Sequence, residues 1–105
     1  MIKKVFKEIE RFEPGKPVQV PIANGERTKI VMLCLSPGAS EPPHSHPGYE
    51  LSLMPLKGRG KLPLGLKQEI LLQPGEIYLV DGGMSFNPKN PFEEDFEMLV
   101  HLVKK

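Results

Sequence analysis

Gly38-Ala-Ser-Glu-Pro-Pro-His44-Ser-His46-Pro-Gly-Tyr-Glu50 is the stretch on which the fold reading turns. In extended backbone, histidines at i and i+2 point to the same face, with Cα atoms about 6.6 Å apart. Two imidazoles at that separation can converge on one ion at about 2.0–2.1 Å from each nitrogen. Pro42 and Pro43 stiffen the approach, and Pro47-Gly48 re-aims the chain. Glu50 then returns at the start of an apolar run and can offer a carboxylate. Two His and one carboxylate form a known ligand set for a non-haem metal with open positions. The chain has three histidines, two of them in this tripeptide. The bland alternative is a surface loop with two solvated imidazoles.

Outward from this segment, the pattern is all-β. Twelve prolines and ten glycines punctuate 105 residues, which forbids most helix interiors. Short runs rich in Val, Ile, Leu and Phe lie between them. Residues 2–9 read as a strand or a single helical turn. Val18, Val20 and Ile22 alternate with polar Gln19 in a half-buried edge strand containing Pro21. Asn24-Gly25 predicts a tight hairpin turn into a central strand over 28–35. Further strands are expected over 49–56, 61–66, 68–72, 76–80 and 96–103, with turns at Gly58-Arg59-Gly60, Pro74-Gly75 and Asp81-Gly82-Gly83. About eight short strands leave many edges unless they close into a barrel or jelly roll, whose mouth then offers a pocket.

Composition excludes several classes of function. The length suits one domain, residues 1–105. A net charge of +1 gives no basic surface for nucleic acid, and there is no stacking platform of aromatics. No apolar run is long enough to span a membrane and no signal-like segment follows Met1, so the expectation is a cytoplasmic chain with no membrane partner. The single cysteine, Cys34, lies in an apolar run and reads as a buried small hydrophobe.

The 38–58 segment resembles the first motif of the cupin superfamily: Gly, five residues, His-x-His, three or four residues, Glu, six residues, Gly. Gly38, His44, His46 and Glu50 fit in register, and Gly58 arrives one residue late. Residues 75–90 are similar to the second motif: Gly75, Gly83 and Asn90 fit, Asp81 replaces a proline, and Phe86 stands where the family has its third metal-binding histidine. The resemblance implies a single-domain cupin, an antiparallel double-stranded β-helix or jelly-roll barrel. It implies a divalent metal (Fe, Mn, Ni or Zn) on His44, His46 and Glu50, and small-molecule chemistry of the dioxygenase, isomerase or decarboxylase kind. Phe86 leaves three readings of that site: a metal on the remaining three ligands, substitution by His101, or a metal-free ligand-binding or sensor barrel. No separate acid–base residue stands out. Period-2 alternation from His44 and His46 would turn Glu50, Ser52 and Met54 inward. The resemblance also implies a homodimer, with Ile2, Val5, Phe6 and Ile9 supplying apolar contact.

Overall fold

The computed structural model describes residues 1–105. The chain is all-β apart from one helical turn, α1 (Phe6–Ile9). The strands are β1 (Pro17–Asn24), β2 (Thr28–Leu35), β3 (Tyr49–Lys57), β4 (Gly60–Leu64), β5 (Gln68–Leu72), β6 (Tyr78–Asp81) and β7 (Phe96–Lys104). Five form one antiparallel sheet in the order β1-β2-β7-β3-β6, and β4 and β5 form a hairpin. This is a jelly-roll barrel, as the strand pattern and the motif resemblance implied.

The hairpin does not stand alone. Lys61 on β4 exchanges both backbone hydrogen bonds with Lys89, at 2.8 and 2.9 Å. Residues 38–44 and 86–90 then run antiparallel beside it through Gly38 N–H to Asn90 O, Asn90 N–H to Ala39 O, Glu41 N–H to Pro88 O and Phe86 N–H to His44 O. The second sheet therefore comprises β5, β4 and these two proline-broken segments. The sequence pattern marks neither segment as a strand, because prolines remove ladder donors and mask the alternation.

The core lies between the sheets. Leu33 and Leu35 of β2, Leu51 and Leu53 of β3, and Phe96, Met98, Val100 and Leu102 of β7 meet Leu62, Leu72 and Phe86 from the other side. Their outward neighbours explain why β2 reads apolar on both faces. Met32 and Cys34 pack with Val20 against Ile9, Phe12 and Val18, so the N-terminal segment covers the outer face of β1 and β2. Burial raises the Cys34 thiol above its ordinary range, which suits a packing role.

Two polar groups hold the ends of this arrangement. Asn90 is buried, donates to Leu35 O at 2.8 Å and Glu94 O at 2.7 Å, and accepts from Phe92 N–H at 3.0 Å. It satisfies three backbone groups from two segments at once. Glu97 on β7 is 3% exposed, and no donor reaches its Oε2. Its neighbours are Glu10 from the N-terminal segment, Lys57 opposite it on β3, and Cys34 opposite it on β2. Burial first, then the hydrogen bond and charge of Glu10, push the Glu97 carboxyl up to about 7. Glu10 moves the opposite way, because it accepts from Glu97 and lies 3.6 Å from Lys57, with a smaller contribution from the charge of Lys7.

Asn90→Ala strands three backbone groups and is expected to lower stability by about 3 kcal/mol, read by chemical denaturation. The folded chain holds a proton on Glu97 that an unfolded carboxyl, ordinarily at 4.5, has released. Stability from this group is therefore greatest at acid pH and is lost as pH rises from about 4.5 to about 7. Amide exchange over residues 6–12, corrected for intrinsic rates, should show stronger protection at about pH 6 than at about pH 8.5. Glu97→Gln, which keeps a donor at all pH values, should abolish that difference.

Candidate functional site

The 38–44 and 86–90 ladder sets the site. His44 and Phe86 are bridge partners, so their side chains project from adjacent strands onto one face. Their ring centroids are 5.7 Å apart in an edge-to-face arrangement. His46 lies 4.8 Å from His44 and 6.4 Å from Phe86, again edge-on. The His46 backbone is held by Gly82: His46 N–H donates to Gly82 O at 2.6 Å, and Gly82 N–H donates to Tyr49 O at 2.8 Å. A Cβ at Gly82 would collide with the His46 and Tyr49 carbonyls, so only glycine permits this approach.

These rings form part of the wall of a small pocket of about 40 Å³ that opens to solvent. Val31, Leu33, Phe86, Val100 and Leu102 supply its apolar surface, and Gln19, Glu41, His44 and His46 its polar surface. Glu41 is 5% exposed, and its Oε1 accepts from Gln19 Nε2 at 2.7 Å. His44 Nδ1 donates to Pro42 O at 2.8 Å; a carbonyl can only accept, so Nε2 is left with the free lone pair. His46 is held below its ordinary range, chiefly by burial and then by the charge of His44, so it stays neutral through the physiological range.

The expected site residues divide. His44 and His46 share the pocket. Glu50 does not: it is exposed and lies on the outer face of β3, opposite Asp81 and Val103. Ser52 and Met54 follow it outward, while Leu51 and Leu53 turn in. The physical reason is the turn at Pro47-Gly48, closed by Tyr49 N–H to His46 O, with Gly48 at φ +86°. That turn resets the alternation between His46 and the strand, and a one-residue shift exchanges faces. His101 also lies elsewhere: on β7 it shares the outer face with Leu99, while Val100 and Leu102 face the pocket. It cannot replace the absent third histidine.

Sequence reasoning misses Glu41 and Gln19. Alternation sets Gln19 on the solvent side of a strand whose valines face the core. The valines face the N-terminal segment instead, and Gln19 faces the pocket. Glu41 carries one usable signal, a charged residue set immediately before two prolines in an otherwise uncharged run.

The three-His, one-Glu donor set of the cupin motifs does not fit these residues. Phe86 occupies the third-histidine position, Glu50 points away, and no three His, Cys, Asp or Glu side chains converge on a common point.

Comparison with known proteins agrees with the fold. A protein from Thermus thermophilus superposes with TM-score 0.88 at 26% identity, covering 99% of this chain and 98% of the other. An RmlC-like cupin from Desulfovibrio desulfuricans gives TM-score 0.86 at 23% identity, covering 98% and 96%. A predicted oxalate decarboxylase from Thermotoga maritima gives TM-score 0.75 at 20% identity, covering 85% and 81%. No curated protein matches the sequence. The family model described as "Cupin domain" matches residues 31–102. By that match, well over half its length, the chain belongs to the cupin family.

Proposed function

We propose that this cupin binds a small molecule in the pocket of Gln19, Glu41, His44, His46 and Phe86, without the family's resident metal. The observation that carries the reading is Phe86, buried and packed edge-on against both histidines where a third ligand would stand. A phenyl ring has no lone pair to give a metal, and its bulk fills the space beside the imidazoles. Five of the nine lining residues are apolar and four are polar, so the pocket offers both apolar contact and orienting groups to a small ligand. No enzymatic step is assigned.

The second reading keeps a divalent ion on His44 and His46. It is favoured by one observation, that the two rings lie 4.8 Å apart in the same pocket. Two imidazoles alone give weak binding, because each lost ligand costs more than the 10–100-fold of a lost supporting partner.

We also propose a homodimer. Ile2, Val5 and Phe6 are exposed at the N-terminus, and Met54, Ile77 and Leu79 are exposed around β3 and β6. A second copy of the chain would cover apolar surface of this kind.

Untagged protein dialysed against Zn, Mn, Fe or Ni and then washed should retain well under one equivalent of metal by elemental analysis. Phe86→His should raise retention at least about 10-fold, since it restores a donor beside His44. Stoichiometric metal in the unmodified protein, lost in His44→Ala, would favour the second reading instead. For the assembly, sedimentation should report twice the 11.8 kDa chain mass at micromolar concentration; a purely monomeric profile removes that proposal.

A further inference from the structure

Glu41 has an unusual position for a carboxylate. It is 5% exposed, yet it belongs to none of the ion pairs of the molecule, which join Lys57 to Glu10, Lys61 and Lys89 to Glu69, and Lys105 to Asp81. Its one side-chain partner is the neutral amide of Gln19. A buried carboxylate without a cation is costly, and proteins normally pair it or neutralise it. Glu97, the other buried carboxyl, is answered inside the protein by Glu10. Glu41 instead borders an open pocket.

Two of the other polar groups of that pocket offer acceptors, while neutral His46 offers one donor and one acceptor nitrogen. Gln19 donates one N–H of its Nε2 to Glu41, which leaves its carbonyl oxygen as an acceptor and its second N–H as a donor. His44 has committed Nδ1–H to Pro42 O, which leaves Nε2 as an acceptor. Among these groups only Glu41 carries a formal charge, so the charge selection of the pocket favours a cation, with the amide oxygen of Gln19 and Nε2 of His44 as further acceptors. The other walls, Val31, Leu33, Phe86, Val100 and Leu102, ask for a short apolar body.

We infer that the pocket takes a small primary organic cation, an alkylammonium, with its charge on Glu41 and its alkyl chain against Phe86 and the β2 and β7 side chains. The inference rests on the metal-free small-molecule reading above and names the ligand class for it. An inorganic cation is less suited, because the apolar walls offer it nothing and no three His, Cys, Asp or Glu side chains are grouped to hold it.

The test is an NMR titration of EDTA-treated protein with n-butylammonium, butan-1-ol and butyrate, three probes of similar size and different charge, followed by Zn. Thermal melting checks that Glu41→Gln is folded, and the probe series on the unmodified protein needs no variant. Butylammonium should shift the His44, His46 and Gln19 side-chain resonances saturably. Butan-1-ol should bind roughly 10-fold more weakly, since it lacks the ammonium charge that pairs with the Glu41 carboxylate. Butyrate should not bind. Glu41→Gln should weaken butylammonium by about the same factor and bring its affinity down to that of butan-1-ol. Equal affinity for the amine and the alcohol, preference for butyrate, or indifference to Glu41→Gln overturns the cation proposal while leaving a small-molecule pocket in place. Tight stoichiometric Zn on both histidines, with no response to the amine, overturns this proposal and the metal-free reading together.

Discussion

The backbone ladder between residues 38–44 and 86–90 is the constraint from which the rest follows. A two-stranded hairpin such as β4 and β5 is marginal alone, and these segments join it to a complete opposing sheet. The ladder is sparse because Pro42, Pro43 and Pro88 bring no N–H to it. Asn90 makes up part of the deficit by bonding three backbone groups with one buried side chain. Because His44 and Phe86 are cross-strand partners in this ladder, whatever closes the barrel also composes the pocket.

The five-stranded sheet buries side chains on both faces, and this shapes the electrostatics. Its inner face meets the second sheet. At the β1 and β2 end its outer face meets the N-terminal segment, which brings Glu10 over Glu97. Two acids are thus taken out of water on opposite sides of one sheet. One shares a proton with a second carboxyl, so its burial is tied to the docking of residues 6–12. The other has only a neutral amide within the protein and faces an opening. Identical chemistry in the sequence leads to different roles because one acid meets a second carboxyl, whereas the other meets an amide and lies near the imidazole of His46.

Most of the fold was legible because its signals are local. Tight turns at Asn24-Gly25 and Pro74-Gly75, and apolar runs over 28–35 and 68–72, fix strands through period and turn chemistry alone. The ambiguous 2–9 segment resolved as one helical turn at Phe6–Ile9, and only Ile9 of its apolar residues packs on the body. The site was half legible. His44 and His46 share a face by short-range geometry, which sequence spacing reports well. Glu50 failed because alternation was carried across Pro47-Gly48, where a turn breaks the count. Gln19 is exposed, as the alternation of β1 implies, but its face of the strand also borders the pocket, which polarity alone does not report.

The two departures from the cupin donor set act in the same direction. The reset after Gly48 gives an inward place to Leu51, and Phe86 takes the place beside His44; both are buried in the main core. Each change withdraws a metal donor and adds apolar contact, worth about 1.5–3 kcal/mol for a fully buried side chain of this size. A histidine at position 86 with no metal would leave a polar nitrogen to satisfy inside that core. His44 escapes that cost because the Pro42 carbonyl accepts from its Nδ1, and His46 because it is only half buried. The pocket therefore needs no metal to satisfy its imidazoles, and its one formally anionic side chain, Glu41, is met within the protein by the neutral amide of Gln19 rather than by a cation.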